Sequence, residues 1–323
     1  MADDLARWKA YHYPGSDVLV NKPGIRDASV LKSFEAESAY LRTVQLAQQP
    51  ISGRFDLAHL QRIHQHLFQD TYEWAGRLRD VSLAKAHSNF TEPDHIGREG
   101  ERIQKGIEAA GYFQGSEKAK FVVQLARLHT DLNRLHPFRE GNGRATREFL
   151  GQLALQAGFV LDQRRIQGDR SAWNSASASA LAGDTAAIER VFAEAVRPAA
   201  AVAFERLSRE DALMKHPSLA SAFAQLDVRT AAIEKRYVAN AKAKEHFSAH
   251  ARAEILRLID GGKLPLLDQV VPVAKAGLRE VGQSFAARHF ADAAQKAQFL
   301  AQVEKRYGSR LDPAAERTHK IRL

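Results

Sequence analysis

The chain has 323 residues, enough for two domains, and its 45% hydrophobic and 26% charged content is that of an ordinary soluble globular protein. It has no cysteine, which excludes disulfides and thiol chemistry. No apolar run is long enough to span a bilayer, and the opening Met1-Ala-Asp-Asp-Leu5 lacks the basic and apolar regions of a signal peptide. The net charge of +9 is uneven: residues 205–323 hold 21 Lys/Arg against 14 Asp/Glu, a net of +7. A basic C-terminal third suits an acidic partner, nucleic acid or a secretion machine, and equally a solvated helical surface. Aromatic and basic residues do not interleave there as a base-stacking platform requires, so a nucleic-acid partner is not expected.

Residues 11–26, rich in Pro, Gly and Asn, read as an ordered arm. Asp27 is an N-cap for a helix to about Gln48, with Val30, Leu31, Phe34, Leu41 and Val44 available for its apolar side. Asp56 caps a second helix through Phe68, whose buried stripe is Leu57, Leu60, Ile63 and Leu67. From Trp74 to Phe90 polar and apolar residues alternate toward a Lys85-Ala-His-Ser-Asn89 turn, the one place for a short β-hairpin. Another helix begins at Pro93-Asp94 and ends near Gly111.

Ser116 opens a helix with Phe121, Leu125, Leu128, Leu132 and Leu135 on one face, ended by Pro137. After Gly143 a further helix runs through Phe149, Leu150, Leu153 and Leu155 to Gly158. Helices at about 170–182 and 184–196 close a first domain, residues 1–200. A linker around 198–216 leads into a basic helical domain of unknown role, residues 201–323, with Phe223, Leu226, Ile233, Tyr237, Leu278, Val281, Phe285 and Phe299 as apolar positions. The fold class is all-α with one hairpin.

The richest chemistry lies in Leu135-His-Pro-Phe-Arg-Glu-Gly-Asn-Gly-Arg-Ala-Thr-Arg147. A helix ending at His136 and a glycine turn into a second helix make an anion-binding concavity of backbone amides and a positive dipole end. Gly141 and Gly143 permit close backbone approach, and Asn142 offers a side-chain N–H to a phosphoryl oxygen. Arg144 and Arg147 share a helix face, and their forked donors suit phosphate. Glu140 is a hard oxygen ligand of the kind that holds Mg²⁺ together with substrate phosphates, and His136 can move a proton near neutral pH.

His136-Pro-Phe138-Arg-Glu140-Gly-Asn-Gly-Arg144-Ala-Thr-Arg147 resembles the Fic motif, HxFx(D/E)GNGRxxR, at every specified position. The resemblance covers about residues 10–200. It implies a Fic-type helical core with a hairpin flap, mapped here to about Val81–Phe90, that holds the target protein by main-chain pairing. It implies transfer of AMP from ATP to a Ser, Thr or Tyr hydroxyl. His136 deprotonates that hydroxyl and Glu140 binds Mg²⁺. Asn142 with the Gly141 and Gly143 backbone holds the phosphates, Arg144 and Arg147 contact the distal ones, and Phe138 is a core anchor. The intact Gly-Asn-Gly turn favours AMP transfer over the kinase branch. Transfer of another phosphorus group, or an idle binding module, are the alternatives left open.

Relatives are often restrained by an (S/T)xxxE(G/N) helix whose glutamate pairs with the second motif arginine. No complete copy occurs here: Ser33-Phe-Glu-Ala-Glu37-Ser38 and Thr230-Ala-Ala-Ile-Glu234-Lys235 each fail at the last position. The resemblance therefore implies a separate small antitoxin that inserts a Glu near Arg147, and a toxin- or effector-like role. The acidic opening residues and the absence of cysteine fit a cytoplasmic location, which is the expectation. The basic C-terminal module of some relatives adds export into a host cell by a specialised secretion system as a second destination. His59, His64 and His66 share a helix without the spacing of a metal pair, so surface or packing roles are expected. His129 is expected to make a structural hydrogen bond, and Tyr72 and Trp74 to serve the core or the hairpin base. Lys85 and His87 fall at the hairpin tip, in contact with the target or with solvent.

Overall fold

The computed structural model describes residues 2–85, 88–264, 292–298 and 301. The chain divides into two compact units, Met1–Val196 and Arg197–Leu323. No helix among the described residues is long and apolar enough to cross a membrane.

The first unit is helical. A short helix α1 (Ala2–Ala10) leads into the arm, which folds back on itself through a His12–Leu19 bridge. Helix α2 (Ala28–Gln48) starts where Asp27 accepts from the Ser29 and Val30 amides, and α3 (Leu57–Phe68) where Asp56 accepts from the His59 amide. Strands β1 (Ala84–Lys85) and β2 (Ser88–Asn89) pair antiparallel as a short hairpin. Then follow α4 (Ile96–Ala109), α5 (Lys118–Leu135) and α6 (Asn142–Gln156). Strand β3 (Phe159–Leu161), α7 (Gln163–Gly168), α8 (Arg170–Leu181) and α9 (Ala186–Ala195) complete the unit. Strand β4 (Val196–Pro198) pairs with β3 as a second two-stranded sheet, which three-residue apolar stretches had not suggested.

The core of this unit draws buried side chains from every helix from α2 to α9. All five apolar positions expected of α5 are buried, Phe121 and Leu125 completely. In α3, Leu60, Ile63 and Leu67 are buried while Leu57 packs at the margin. Two faces differ from the sequence reading. Val30, Leu41 and Val44 of α2 are exposed, and the buried face is instead Leu31, Glu35, Ala39 and Leu46. Helix α2 carries apolar residues all round, so periodicity alone does not select the face. In α6 Leu155 is exposed and Ala154 is buried, because the inward stripe steps from Phe149 and Leu150 to Leu153 and Ala154, three and four residues on, and passes Leu155 by.

The second unit has its own apolar core, centred on Phe204, Leu213, Leu219, Phe223, Ile255 and Ile259. The stretch read as a linker is helical: α10 (Ala199–Arg206) and α11 (Arg209–Lys215). Pro198 and Ser208 begin these helices rather than interrupting the chain, as first-turn and capping residues commonly do. Helices α12 (Ala220–Arg236) and α13 (Ala241–Asp260) follow. Buried Arg197 grips Asp260 through two nitrogens, both at 2.9 Å, and Glu205 at 2.7 Å. The apolar positions Leu278, Val281, Phe285 and Phe299 lie outside the described residues.

Candidate active site

The site forms where α5 ends and α6 begins. Leu132 accepts the His136 amide, and His136 closes α5 in the left-handed conformation, φ 42° and ψ 58°. A non-glycine residue rarely adopts it, and such strain is characteristic of functional positions. Pro137 stops the helix there and Phe138 is completely buried. Gly141, φ 80°, is the N-cap of α6. A side chain at Gly141 would collide with the Phe68 ring, 2.4 Å from an ideal Cβ. Gly143 is exposed, and a Cβ there would meet only Arg147 Nη1 at 3.5 Å. The fold therefore demands glycine at 141 and not at 143.

Asn142 is buried and clamps the turn. Its Oδ1 accepts from the Phe138 amide at 2.9 Å and its Nδ2 donates to the Phe138 carbonyl at 2.7 Å. One of the two side-chain N–H donors is thus used to shape the loop, because the buried Phe138 peptide needs partners. The first amides of α6, those of Asn142 and Gly143, find no acceptor among the described residues.

His136 Nδ1 lies 3.2 Å from the Asn133 carbonyl. A carbonyl only accepts, so Nδ1 carries the proton and Nε2 carries the basic lone pair. The ring stacks on Phe90 at 3.8 Å between centroids, 15° from parallel, which sets the imidazole against the end of the hairpin. Arg79 couples the two. This buried guanidinium donates to the His136 carbonyl at 2.8 Å, to Val81 at 2.7 Å and to Thr91, while its backbone amide reaches Pro137 at 2.9 Å.

Glu140, whose side chain is 48% exposed, places Oε1 2.9 Å from the Gly141 amide and 3.8 Å from Arg144 Nη2. Behind it, His64 is fully buried. Its Nδ1 accepts from the Gly76 amide at 2.8 Å, so its Nε2 donates to the Glu140 carbonyl at 2.9 Å. Burial, with Arg144 nearby, pushes the His64 imidazole down to about 4 and keeps it neutral. Arg144 donates to Glu35 and lies over the Phe68 ring, 4.6 Å from its centroid. Arg147 has no carboxylate partner among the described residues. Burial, then the Arg144 and Arg170 cations, push its guanidinium down to about 10. A half-buried cation beside other cations is a candidate anion site.

The structure thus gathers His136, Glu140, Gly141, Asn142, Gly143, Arg144 and Arg147 at one helix junction. Glu35, His64, Phe68, Arg79 and Phe90 support them and come from distant stretches. His59 and His64 are packing residues, as expected. Tyr72 is buried and stacks on Trp74 at 4.3 Å. His129 differs: buried, it makes no hydrogen bond through Nδ1 and packs edge-on to Trp173 at 4.7 Å and Phe192 at 5.7 Å. The hairpin-tip His87 lies outside the described residues.

The donor set fits Mg²⁺ of a particular kind. One half-exposed carboxylate beside a phosphate cradle suits an ion held largely by substrate oxygens, and no cluster of three or more acidic or histidine ligands forms an all-protein cage among the described residues.

Comparison with known proteins agrees with this geometry. Residues 54–154 match the family model described as Fic/DOC family. The chain is 38% identical over 189 residues to the probable protein adenylyltransferase Fic of Escherichia coli K12, spanning 58% of this chain and 92% of that protein. It is 39% identical over 157 residues to the protein adenylyltransferase VbhT of Bartonella schoenbuchensis, 49% of this chain and 33% of VbhT. The crystal structure of BepC from Bartonella tribocorum, with bound AMPPNP, superposes with a TM-score of 0.56 at 28% identity, over 59% of this chain and 97% of that one. With its helical core, hairpin and complete helix-junction motif, the chain belongs to the Fic/DOC family.

Proposed function

We propose that this chain is a protein adenylyltransferase, moving AMP from ATP to a Ser, Thr or Tyr hydroxyl of a target protein. The observation that supports the reading is the helix junction itself: two amides with no acceptor among the described residues and two guanidiniums lie on the first turns of α6, and His136 ends α5 a few residues before them. The named relatives and the AMPPNP-bound BepC structure support ATP as the substrate.

In this reading the target hydroxyl gives its proton to His136 Nε2 as its oxygen attacks the α-phosphorus. The bond from that phosphorus to the bridging oxygen breaks, and pyrophosphate leaves. The Asn142 and Gly143 amides hold phosphate oxygens, and Asn142's side chain keeps those amides in place. Arg144 and Arg147 take the distal phosphates, where leaving-group charge develops. Glu140 would hold Mg²⁺, which would supply charge neutralisation for the phosphate oxygens. The exposed Gly143 leaves room for the nucleotide that any side chain would narrow.

The target chain docks along the hairpin, about residues 81–90, where stacking on Phe90 brings an added strand within reach of His136. Arg147, lacking a carboxylate partner among the described residues, is the group a separate small antitoxin would engage with a glutamate. The chemistry belongs to residues 1–200, and the basic remainder, residues 201–323, lies outside it. The protein acts in the cytoplasm or as cargo exported to a host cell.

Purified protein incubated with lysate and ATP, labelled in turn at the α- and the γ-phosphate, tests the reaction. Protein-bound label from the α-position alone is expected. Label from the γ-position would indicate a kinase, and no label from either would indicate an idle binding module.

A further inference from the structure

Glu35 is a buried charge beside the phosphate cradle that the transferase chemistry leaves unused. It lies in α2, 8% exposed, between Leu31 and Ala39 on the buried face. Both of its oxygens are engaged: one accepts from the Tyr72 hydroxyl, the other from Arg144 Nη2. Tyr72 is 2% exposed and stacked on Trp74, so the carboxylate is fixed from behind by a rigid ring. Arg144 is fixed in turn by three elements: the acid of α2, the Phe68 ring of α3 and, at 3.8 Å, Glu140.

We propose that Glu35 is a positioning residue, which through Arg144 presents a preset guanidinium edge to the distal phosphates of a nucleoside triphosphate. This rests on the nucleotide reading of the site. A carboxylate against a phosphate-binding arginine can also act the other way, by competing with the phosphate. The geometry separates the two roles. A removable plug must be able to leave, and Glu35 sits mid-helix in a packed core with its second oxygen held by Tyr72. It engages one terminal nitrogen of Arg144, and the other nitrogens of that guanidinium have no acceptor among the described residues.

Two physical gains follow. An arginine already ordered loses less rotamer freedom when it grips a ligand. The Glu35 charge also offsets repulsion between Arg144 and Arg147, two cations held close on one helix face.

Titration calorimetry of ATP and of AMP, in magnesium buffer with the full chain, tests the proposal on wild type, Glu35→Ala, Glu35→Gln and Tyr72→Phe. Glu35→Ala should weaken ATP binding about tenfold, the ratio that about 1.4 kcal/mol produces. Glu35→Gln and Tyr72→Phe should weaken it less, and AMP, which has no distal phosphates, should bind all four proteins alike. ATP affinity that is unchanged or raised in the Glu35 variants would overturn positioning and identify a competing acid. Equal losses for ATP and AMP would reduce Glu35 to a structural residue. If Glu35→Ala does not fold, the near-isosteric Glu35→Gln and Tyr72→Phe decide by the same ATP-to-AMP comparison. A wild-type chain that binds neither nucleotide would overturn the nucleotide reading, and the positioning role with it.

Discussion

Gly141 and Gly143 stand two residues apart and are glycine for different reasons. At 141 the positive φ and the Phe68 ring leave no space for a Cβ, so Gly141→Ala should destabilise the fold by about 2 kcal/mol or more in denaturant unfolding. At 143 the space is open and the backbone ordinary. Gly143→Ala should keep full stability or gain up to about 1 kcal/mol from helix propensity, yet weaken ATP binding severalfold. Equal stability losses at both positions would contradict the distinction. The neighbouring histidines make a second prediction. His64 titrates at about 4 and His129 at about 3 in the folded chain, against an ordinary 6.5. Between those values the unfolded state binds more protons. Their contribution to stability is therefore complete above pH 6.5 and declines as pH falls toward 4. The melting temperature should be lower at pH 5 than at pH 7, and a higher one at pH 5 would contradict the neutral, buried assignments.

At the scale of elements, the most legible features were those that a short stretch encodes by itself. Asp27 and Asp56 announce their helices because a carboxylate two or three residues before free amides is a local device. The phosphate cradle reads directly for the same reason, since its residues lie within one twelve-residue stretch. Its supports were hidden because they arrive from elsewhere in the chain. Glu35 was read past in favour of Glu37, although Leu31, Glu35 and Ala39 share one ladder of four-residue steps, the one signal that could have exposed it. The β3–β4 sheet was missed because three residues carry too little alternation to distinguish strand from loop. Arg79 joins the hairpin to the catalytic turn through carbonyls, which no residue pattern records. Removing its charge and donors while keeping bulk, as in Arg79→Met, takes the donor away from three carbonyl bonds, one buried and two half-buried. That should cost about 3 kcal/mol or more in denaturant unfolding. A loss below about 1 kcal/mol would show that the hairpin holds its place without this group.

For the molecule as a whole, the sequence showed an all-helical chain with a basic C-terminal third, and it misplaced the passage between the two parts. Ala199–Lys215 forms two helices of the second unit, and buried Arg197 is tied to Asp260 and Glu205 within it. Breaking that cluster with Arg197→Ala leaves two partly exposed carboxylates, Glu205 still beside Arg206, and should destabilise the second unit by about 1–3 kcal/mol. ATP binding at the helix junction should be unchanged. The central claim concerns that junction: backbone amides and arginines hold a triphosphate while an imidazole moves the proton, so binding and chemistry are separable. The direct test measures ATP binding and α-label transfer side by side on wild type and His136→Ala. The account predicts that the variant binds ATP with affinity close to wild type and transfers nothing. Undiminished transfer by His136→Ala would contradict it.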